Sequence, residues 1–439
     1  MIKRNVILRN NILLSGAMKA LGLVTSFLLV PITLDYLDKE QYGIWMTLSS
    51  VLMWFSFFDV GLGNGMRNYL AQAIAENDYA KGRSHLTTTL VMLMGIALLL
   101  GVVFIGAGTL TSLSKVFNTT ALTDAQLRLP FLIAIVMTLA VFIVKNVGVV
   151  YIALQKYAVN DLIIVLSNVV ALLLIYVCTL VIPTGNLTTI VLIFTTIPVL
   201  GFVLASIPLF RRHPELRPRL DSFDWNYGKQ ILTKGIGFFF IQITSCLVIF
   251  GSSNLFITQF VGPEAVTTYN IAYKYFNLLA IAYTVVISPM WNAYTDAYVK
   301  GDYAWIRVTY KRALAVWGLT VVGGLLMLSV AGIFYRLWVG DSVNVTFSVS
   351  LCVFAYISFY NLNNCATMLI NGLNKIRVQI ISSVVLTLVY IVAVSMTGRQ
   401  GGIEGVVVCM AASYAVMAAI HLYQCRLLIG QKAKGIWNQ

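Results

Sequence analysis

The 439-residue chain is 59% hydrophobic and only 10% charged, with a mean hydropathy of +0.85. A water-soluble chain keeps its surface wetted with about 25% charged residues, so a soluble globular protein is excluded. Thirty basic residues against 16 acidic leave a net charge of +14, which in a membrane protein marks one basic bilayer face rather than a nucleic-acid groove.

A helix crosses hydrocarbon about 30 Å thick with about 20 mostly apolar residues. In chain order that window predicts twelve spans: 11–36, 42–66, 86–112, 130–154, 159–182, 188–210, 231–260, 265–292, 313–338, 345–371, 378–397 and 403–425. The first follows Lys3, Arg4 and Arg9, as a signal peptide would. It is too long for one and has no small-x-small cleavage site, so it reads as an uncleaved span. With the N-terminus inside, twenty Lys and Arg fall in cytoplasmic segments and five in outer ones. This asymmetry places both termini in the cytoplasm. The fold expected is an all-α integral membrane protein with twelve transmembrane helices.

The longest polar stretch, from Arg211 to Gly228, separates the spans six and six. The domains expected are a bundle over 1–212, a cytoplasmic linker over 213–230 and a second bundle over 231–439. A shift of 224 residues reveals an internal repeat: Glu40 falls on Glu264, Asn68 on Asn292, Asp78-Tyr79-Ala80 on Asp302-Tyr303-Ala304, and Arg83 on Arg307. Six is even, so both halves enter the membrane in the same direction, as two pseudo-symmetric bundles about the membrane normal. That is a frequent transporter plan.

Polar residues recur at helical spacing inside several spans. Trp45, Ser49, Leu52, Ser56, Asp59, Gly63 and Arg67 share one face of the second span, and Asn270, Lys274, Asn277, Ile281, Thr284, Ser288 and Asn292 one face of the eighth. Asn11, Ser15, Lys19, Gly22 and Ser26 extend the pattern to the first span, and Gln242, Ser245 and Ser252 to the seventh. Lipid offers no hydrogen bonds, so these faces are expected to line a central cavity. Small and hydroxyl residues alone would be explained by close helix packing. The lysines would not, because a lysine near the bilayer centre costs about 2.5–3.5 kcal/mol. The spans contain essentially one interior carboxylate, Asp59, expected to interact with Arg67 around a bent Gly61-Gly63-Gly65 segment. Lys19, Lys145 and Lys274 are then left without an obvious partner, and an anionic substrate is the expected counter-charge.

No Walker A loop or dinucleotide fingerprint is present. His85, His213 and His421 are far apart, and each is expected to be a satisfied or solvated histidine. The six cysteines lie in or beside apolar runs without metal-ligand spacing, so they read as packing residues. No catalytic constellation, metal or resident cofactor is expected, and the chain does not read as an enzyme.

Arg9-Asn10-Asn11 with Lys19, Pro31 near the outer end of the first span, Glu40-Gln41-Tyr42-Gly43-Ile44-Trp45, and Phe58-Asp59-Val60-Gly61-Leu62 with Arg67 resemble the polysaccharide flippases, the Wzx-type O-antigen transporters of the multidrug/oligosaccharidyl-lipid/polysaccharide superfamily. The resemblance covers the chain in length and span count, with its specific motifs confined to about residues 9–83. It implies two bundles that move an undecaprenyl-pyrophosphate-linked glycan, an O-antigen or other repeat unit, from the cytoplasmic to the outer leaflet of the bacterial inner membrane by alternating access. It further implies anion contacts in the cavity, for which Lys19, Arg67, Lys145 and Lys274 qualify. Trp45, Tyr273 and Trp291 would stack on sugar rings. Asp59 is either structural or serves proton or sodium coupling. Membrane lipids are implied partners, with glycan polymerase and glycosyltransferases as further ones and no nucleic acid. Two other readings remain open: a multidrug or cation antiporter of the same superfamily, which would usually keep an acid where this first span has Lys19, and a non-transporting membrane scaffold for glycan-assembly enzymes.

Overall fold

The computed structural model describes the backbone of residues 2–59, 61–182, 184–242 and 252–439, and the side chains of these except at 2–17, 19, 64, 157, 234–242 and 292. No strand occurs among the described residues. Two compact units divide the chain, Met1–Gln242 and Ile243–Gln439.

In the first unit α1 spans Ile2–Tyr36, α2 Lys39–Met53, α3 Leu62–Ala75, α4 Tyr79–Leu110, α5 Leu113–Val116, α6 Asp124–Val144, α7 Asn146–Ala153, α8 Tyr157–Val181, α9 Leu187–Arg212 and α10 Trp225–Gln242. In the second, α11 spans Ser253–Phe260, α12 Pro263–Ile287, α13 Met290–Val299, α14 Tyr303–Val339, α15 Phe347–Gly372 and α16 Arg377–Ile429. Among the described residues seven helical segments are long and apolar enough to cross a membrane: α4, α6 continued by α7, α8, α9, α12, α14 and α16. Their exposed faces carry residues such as Leu98, Val102, Leu326 and Leu388, as lipid contact requires.

Apolar runs of this kind do not define their own ends, and polar caps set the starts. Gln41 donates its backbone N–H to Asp38 at 2.7 Å, Lys81 to Asp78 at 3.0 Å, Thr188 to Asn186 at 2.8 Å and Trp305 to Asp302 at 2.9 Å. Each satisfies one of the donors that a helix leaves free at its N-terminus.

Several predicted spans are interrupted. The second is α2, a 3-10 turn over Trp54–Asp59, and α3, with Gly61 at φ 73°. A left-handed φ of this kind is readily adopted by glycine, so the expected bend lies at the first glycine of the run. The fourth breaks between α6 and α7 at Lys145. The eighth turns at Ser288 and Pro289, because proline cannot continue the amide ladder of α12 into α13. The seventh, 231–260, lies partly outside the described residues. The last two predicted spans are the arms of α16, which leaves helical geometry at Gly402 (φ 60°, ψ −143°). Thr397 Oγ1 meets Cys409 Sγ at 3.1 Å across that turn, and Ser382 Oγ meets His421 Nε2 at 3.0 Å farther along, so the arms run antiparallel.

The segment expected to be a linker is bound to the first unit. Arg83 Nε donates to the Glu215 carbonyl at 2.8 Å, Arg219 N–H to Thr87 Oγ1 at 3.2 Å, and Asp224 N–H to Thr88 Oγ1 at 2.9 Å. Leu216 is fully buried. These bonds to α4, together with the packing of α10 on α3 and α4, carry the unit to Gln242 rather than ending it at 212.

The internal repeat extends to backbone detail. Asn77 and Gly301 both have positive φ, and the amides of Asp78 and Asp302 donate to the carbonyls of Ala73 and Ala297, each at 2.9 Å. A second match has an offset of 219: in Leu154-Gln155-Lys156 and Leu373-Asn374-Lys375 the middle residue has positive φ, and each lysine amide donates back to the carbonyl five residues earlier, at 2.9 and 3.0 Å. The caps Thr123 and Thr346, which open the helices in between, have an offset of 223. The first unit therefore holds four extra residues in this stretch, and its helix is broken there while α15 is continuous.

Candidate functional site

The break between α6 and α7 creates a polar interior site in the first unit. The Lys145 carbonyl is taken up by the Gly148 N–H at 2.9 Å, a tighter turn than the α-helix makes. Asn146, 1% exposed, turns its amide back to the carbonyls of Phe142 and Ile143 at 3.2 and 3.1 Å. Its Oδ1 has no hydrogen-bond partner among the described residues. The Lys145 ammonium lies 5.2 Å from the centre of the Phe142 ring.

Asp59 closes this site from the other side of the bent second span. Its carboxylate accepts the Gly63 N–H at 3.0 and 3.3 Å, one of the donors that the start of α3 leaves free. A methyl group placed on Gly63 would come within 3.0 Å of Asp59 Oδ2 and 3.4 Å of Asn146 Oδ1, so both oxygens approach that glycine. Asp59 and Lys145 are both half-buried and interact electrostatically. Asp59 was expected to meet Arg67. Arg67 is instead exposed on α3, and the opposite charge that Asp59 feels is Lys145, because the bend at Gly61 turns α3 away from the line of α2. The seven-residue stripe of the second span is thus not one continuous helix face.

In the second unit the eighth-span stripe runs along α12, half-buried at Asn270, Lys274 and Asn277 and exposed at Ile281, Thr284 and Ser288. Asn270 donates to Asn254 Oδ1 on α11 at 3.0 Å. Lys274 is engaged by the protein rather than free. The expectation that the interior cations lack native partners therefore holds for neither Lys145 nor Lys274. The side chains of Lys19 and Gln242, and the whole of Ser245, lie outside the described residues.

Of the three aromatic residues assigned to sugar stacking, two are packed within their own units. Trp45 is buried and stacks on Phe194 with centroids 5.1 Å apart. Tyr273 lies between Tyr269 at 5.8 Å and Tyr356 at 6.5 Å. Trp291, at the start of α13, is exposed. The Tyr273 stack belongs to a larger tyrosine group that sequence reasoning missed, in which Tyr356, Tyr360 and Tyr414 follow at 5.4–6.4 Å. The spacing of four in Tyr269–Tyr273 and Tyr356–Tyr360 was the available signal.

Among the described residues no three His, Cys, Asp or Glu side chains gather as metal ligands would. Cys178, Cys352, Cys365, Cys409 and Cys425 are free thiols, and Cys246 lies outside the described residues. His421 is a satisfied core histidine, at 2.7 Å from Asn363 Oδ1 and 3.0 Å from Ser382 Oγ. His213 lies 3.1 Å from Glu215. His85 departs from expectation: it is buried against the ring of Tyr227 at 3.9 Å, and neither ring nitrogen is hydrogen-bonded among the described residues.

Residues 8–291 match the model of a family described as polysaccharide biosynthesis protein. A Salmonella typhi protein described as an O-antigen transporter is 21% identical over 367 residues, covering 80% of this chain and 79% of that protein. Among solved structures, the inward-facing form of a multidrug resistance MATE family transporter of the MOP superfamily aligns with a TM-score of 0.73 at 14% identity, over 93% of this chain and 95% of that one. The lipid II flippase MurJ, in an inward closed conformation, aligns with a TM-score of 0.70 at 13% identity, over 95% and 87%. The chain thus has the fold of these transporters.

Proposed function

Because the chain belongs to the polysaccharide biosynthesis protein family, we propose that it is a flippase for an undecaprenyl-pyrophosphate-linked oligosaccharide, an O-antigen or other surface-polysaccharide repeat unit. It carries this lipid-linked glycan from the cytoplasmic to the outer leaflet of the bacterial inner membrane by alternating access through twelve spans, with both termini cytoplasmic. Family membership is the observation that carries this reading. The likeness in fold to a lipid II flippase supports it, since that protein also handles a lipid-linked substrate by its printed name.

The physical task is to move a pyrophosphate and its sugars through a medium that hydrates neither. Interior cations lower that cost by providing charge-assisted contacts. Lys19, Arg67, Lys145 and Lys274 are the groups assigned to it, with Lys145 exchanging Asp59 for substrate when the anion arrives. Trp291 is the aromatic platform for sugar. Trp45 and Tyr273 contribute only if the aromatic stacks that hold them open during the cycle. The polyprenyl tail stays in lipid.

Reconstituted vesicles containing a fluorescent undecaprenyl-pyrophosphate glycan test the reading. The protein should accelerate loss of the glycan from the labelled leaflet, and Lys19→Ala with Lys274→Ala, singly and together, should slow it by about tenfold or more, the loss of one charge-assisted contact in the transition state. Undiminished leaflet exchange in folded double-variant protein would remove the cationic mechanism. No exchange by the wild type would remove the flippase and favour the scaffold reading, while efflux of organic cations instead would favour the antiporter.

A specific observation favours a coupling role for Asp59. Its carboxylate and the unpartnered, buried Asn146 Oδ1 both approach Gly63, and acceptor oxygens gathered in this way suit a proton or a sodium ion. Asp59→Asn should then abolish the response of transport to an imposed proton or sodium gradient while leaving downhill exchange intact.

A further inference from the structure

We propose that the second unit carries a binding site for a membrane phospholipid whose headgroup holds two phosphate groups. The site is a cavity of about 760 Å³ where the start of α14 meets the end of α16. Four cations line it: Arg307 and Lys311 from the first turns of α14, Arg426 from the last turn of α16, and Lys432 just beyond. Leu314 and Leu422 form its apolar side. No Asp or Glu is among its lining residues.

Basic residues at the ends of spans are ordinary topogenic signals, and Arg426 also suits the negative end of the α16 dipole. The dipole does not favour Arg307 and Lys311, which stand toward the N-terminal, already positive end of α14, so topology alone accounts for their presence there. Neither reason explains the convergence of all four cations on one concavity. Among the described residues none of the four cations is paired with a carboxylate, whereas other cations of the chain are: Lys300 with Asp296 at 2.7 Å, Arg336 with Asp341 at 3.4 Å and Lys81 with Glu76 at 3.8 Å. All four are exposed, and four unopposed charges gathered at one cavity favour an anion there over water alone.

The depth of the site identifies the anion as lipid. Tyr423 lines the site and is exposed, and it meets the Trp437 ring edge-on at 5.2 Å. Tyrosine and tryptophan collect at headgroup level. The lining passes from cations to leucines, the same order in which a phospholipid passes from phosphate to acyl chain. A headgroup with one phosphodiester would leave most of the charge unanswered, and two phosphates match it better. The site lies wholly in the second unit and is independent of what the protein transports.

Native mass spectrometry of the full chain in detergent reads the site directly, with diphosphatidylglycerol, phosphatidylglycerol, undecaprenyl pyrophosphate and inorganic pyrophosphate as separate probes. Diphosphatidylglycerol should bind about tenfold or more tightly than phosphatidylglycerol. Arg307→Gln/Lys311→Gln/Arg426→Gln/Lys432→Gln should erase that preference, while Arg211→Gln/Arg212→Gln/Arg217→Gln/Arg219→Gln, which removes as many charges elsewhere, should keep it. If the first variant fails to insert, Arg307→Gln/Lys432→Gln takes its place, and diphosphatidylglycerol should then raise the Tm of the wild type but not of the pair. Equal affinity for both phospholipids, equal loss in both charge variants, or retention of undecaprenyl pyrophosphate or inorganic pyrophosphate alone would each overturn the proposal.

Discussion

The two units repeat one scaffold and fill its centre with opposite chemistry. At an offset of 224 Asp59 corresponds to Tyr283, and at 219 Asn146 corresponds to Cys365. In the first unit these positions hold a carboxylate and a buried amide beside Lys145, at the break between α6 and α7. In the second they hold a fully buried tyrosine and a buried thiol within an apolar cluster that includes Ile287, Ala366 and Leu369, beside an unbroken α15. The Tyr283 hydroxyl needs only one partner and finds it in the Ala313 carbonyl at 3.2 Å. A buried carboxylate needs donors, and Asp59 takes its own from Gly63 at the free start of α3. The broken helix and the charged centre occur together in the first unit, and neither occurs at the matching place in the second.

The most severe way to break this comparison is to move the charge across. Tyr283→Asp places a carboxylate in a fully buried, mostly apolar cluster that includes no basic side chain, and the cost should exceed about 4 kcal/mol. No folded protein should then survive purification in detergent, and a variant with wild-type thermal stability would show that the second centre tolerates charge. Lys145→Leu comes next. It leaves Asp59 unopposed, and since both groups are only half-buried the loss should be about 1–3 kcal/mol. Asp59→Asn in the same chain should restore part of it, which a double-mutant cycle by thermal unfolding would read.

Where the units agree, the substitutions should agree too. Asp78→Ala and Asp302→Ala each remove one N-cap bond and should each cost about 1 kcal/mol, equal within the error of unfolding measurements. A large inequality would mean that the repeat is one of shape without energetics. The smallest effect is expected on the exposed surface, where Asp296–Lys300 in the second unit corresponds to Gln72–Glu76 in the first, a charged pair against an amide–carboxylate hydrogen bond of 2.8 Å. Asp296→Gln should change stability by less than about 0.5 kcal/mol, because an exposed i,i+4 pair contributes little.

The aspartate pair at 78 and 302 was legible because a cap acts on an amide three residues away, and the bend at Gly61 because a left-handed backbone favours glycine. The partner of Asp59 was not. Arg67 lies eight residues along the same span and looked adjacent on an ideal helix, but the intervening turn breaks that line and Lys145 arrives from another span. The packing of Trp45 on Phe194 was equally hidden, since hydropathy does not say which ring meets which. The docking of Leu216 and its neighbours on α4 was masked by the polarity of the segment that carries them.

The sequence by itself determined that this is a helical membrane protein and that its halves are copies, because hydropathy and repetition are read directly along the chain. The tertiary structure alone decided that Asp59 is opposed by Lys145, that the matching centre of the second unit is mostly apolar, and that Arg307, Lys311, Arg426 and Lys432 share one cavity. Such meetings depend on which faces packed helices turn toward each other, and that is fixed by the shapes of side chains far apart in the chain.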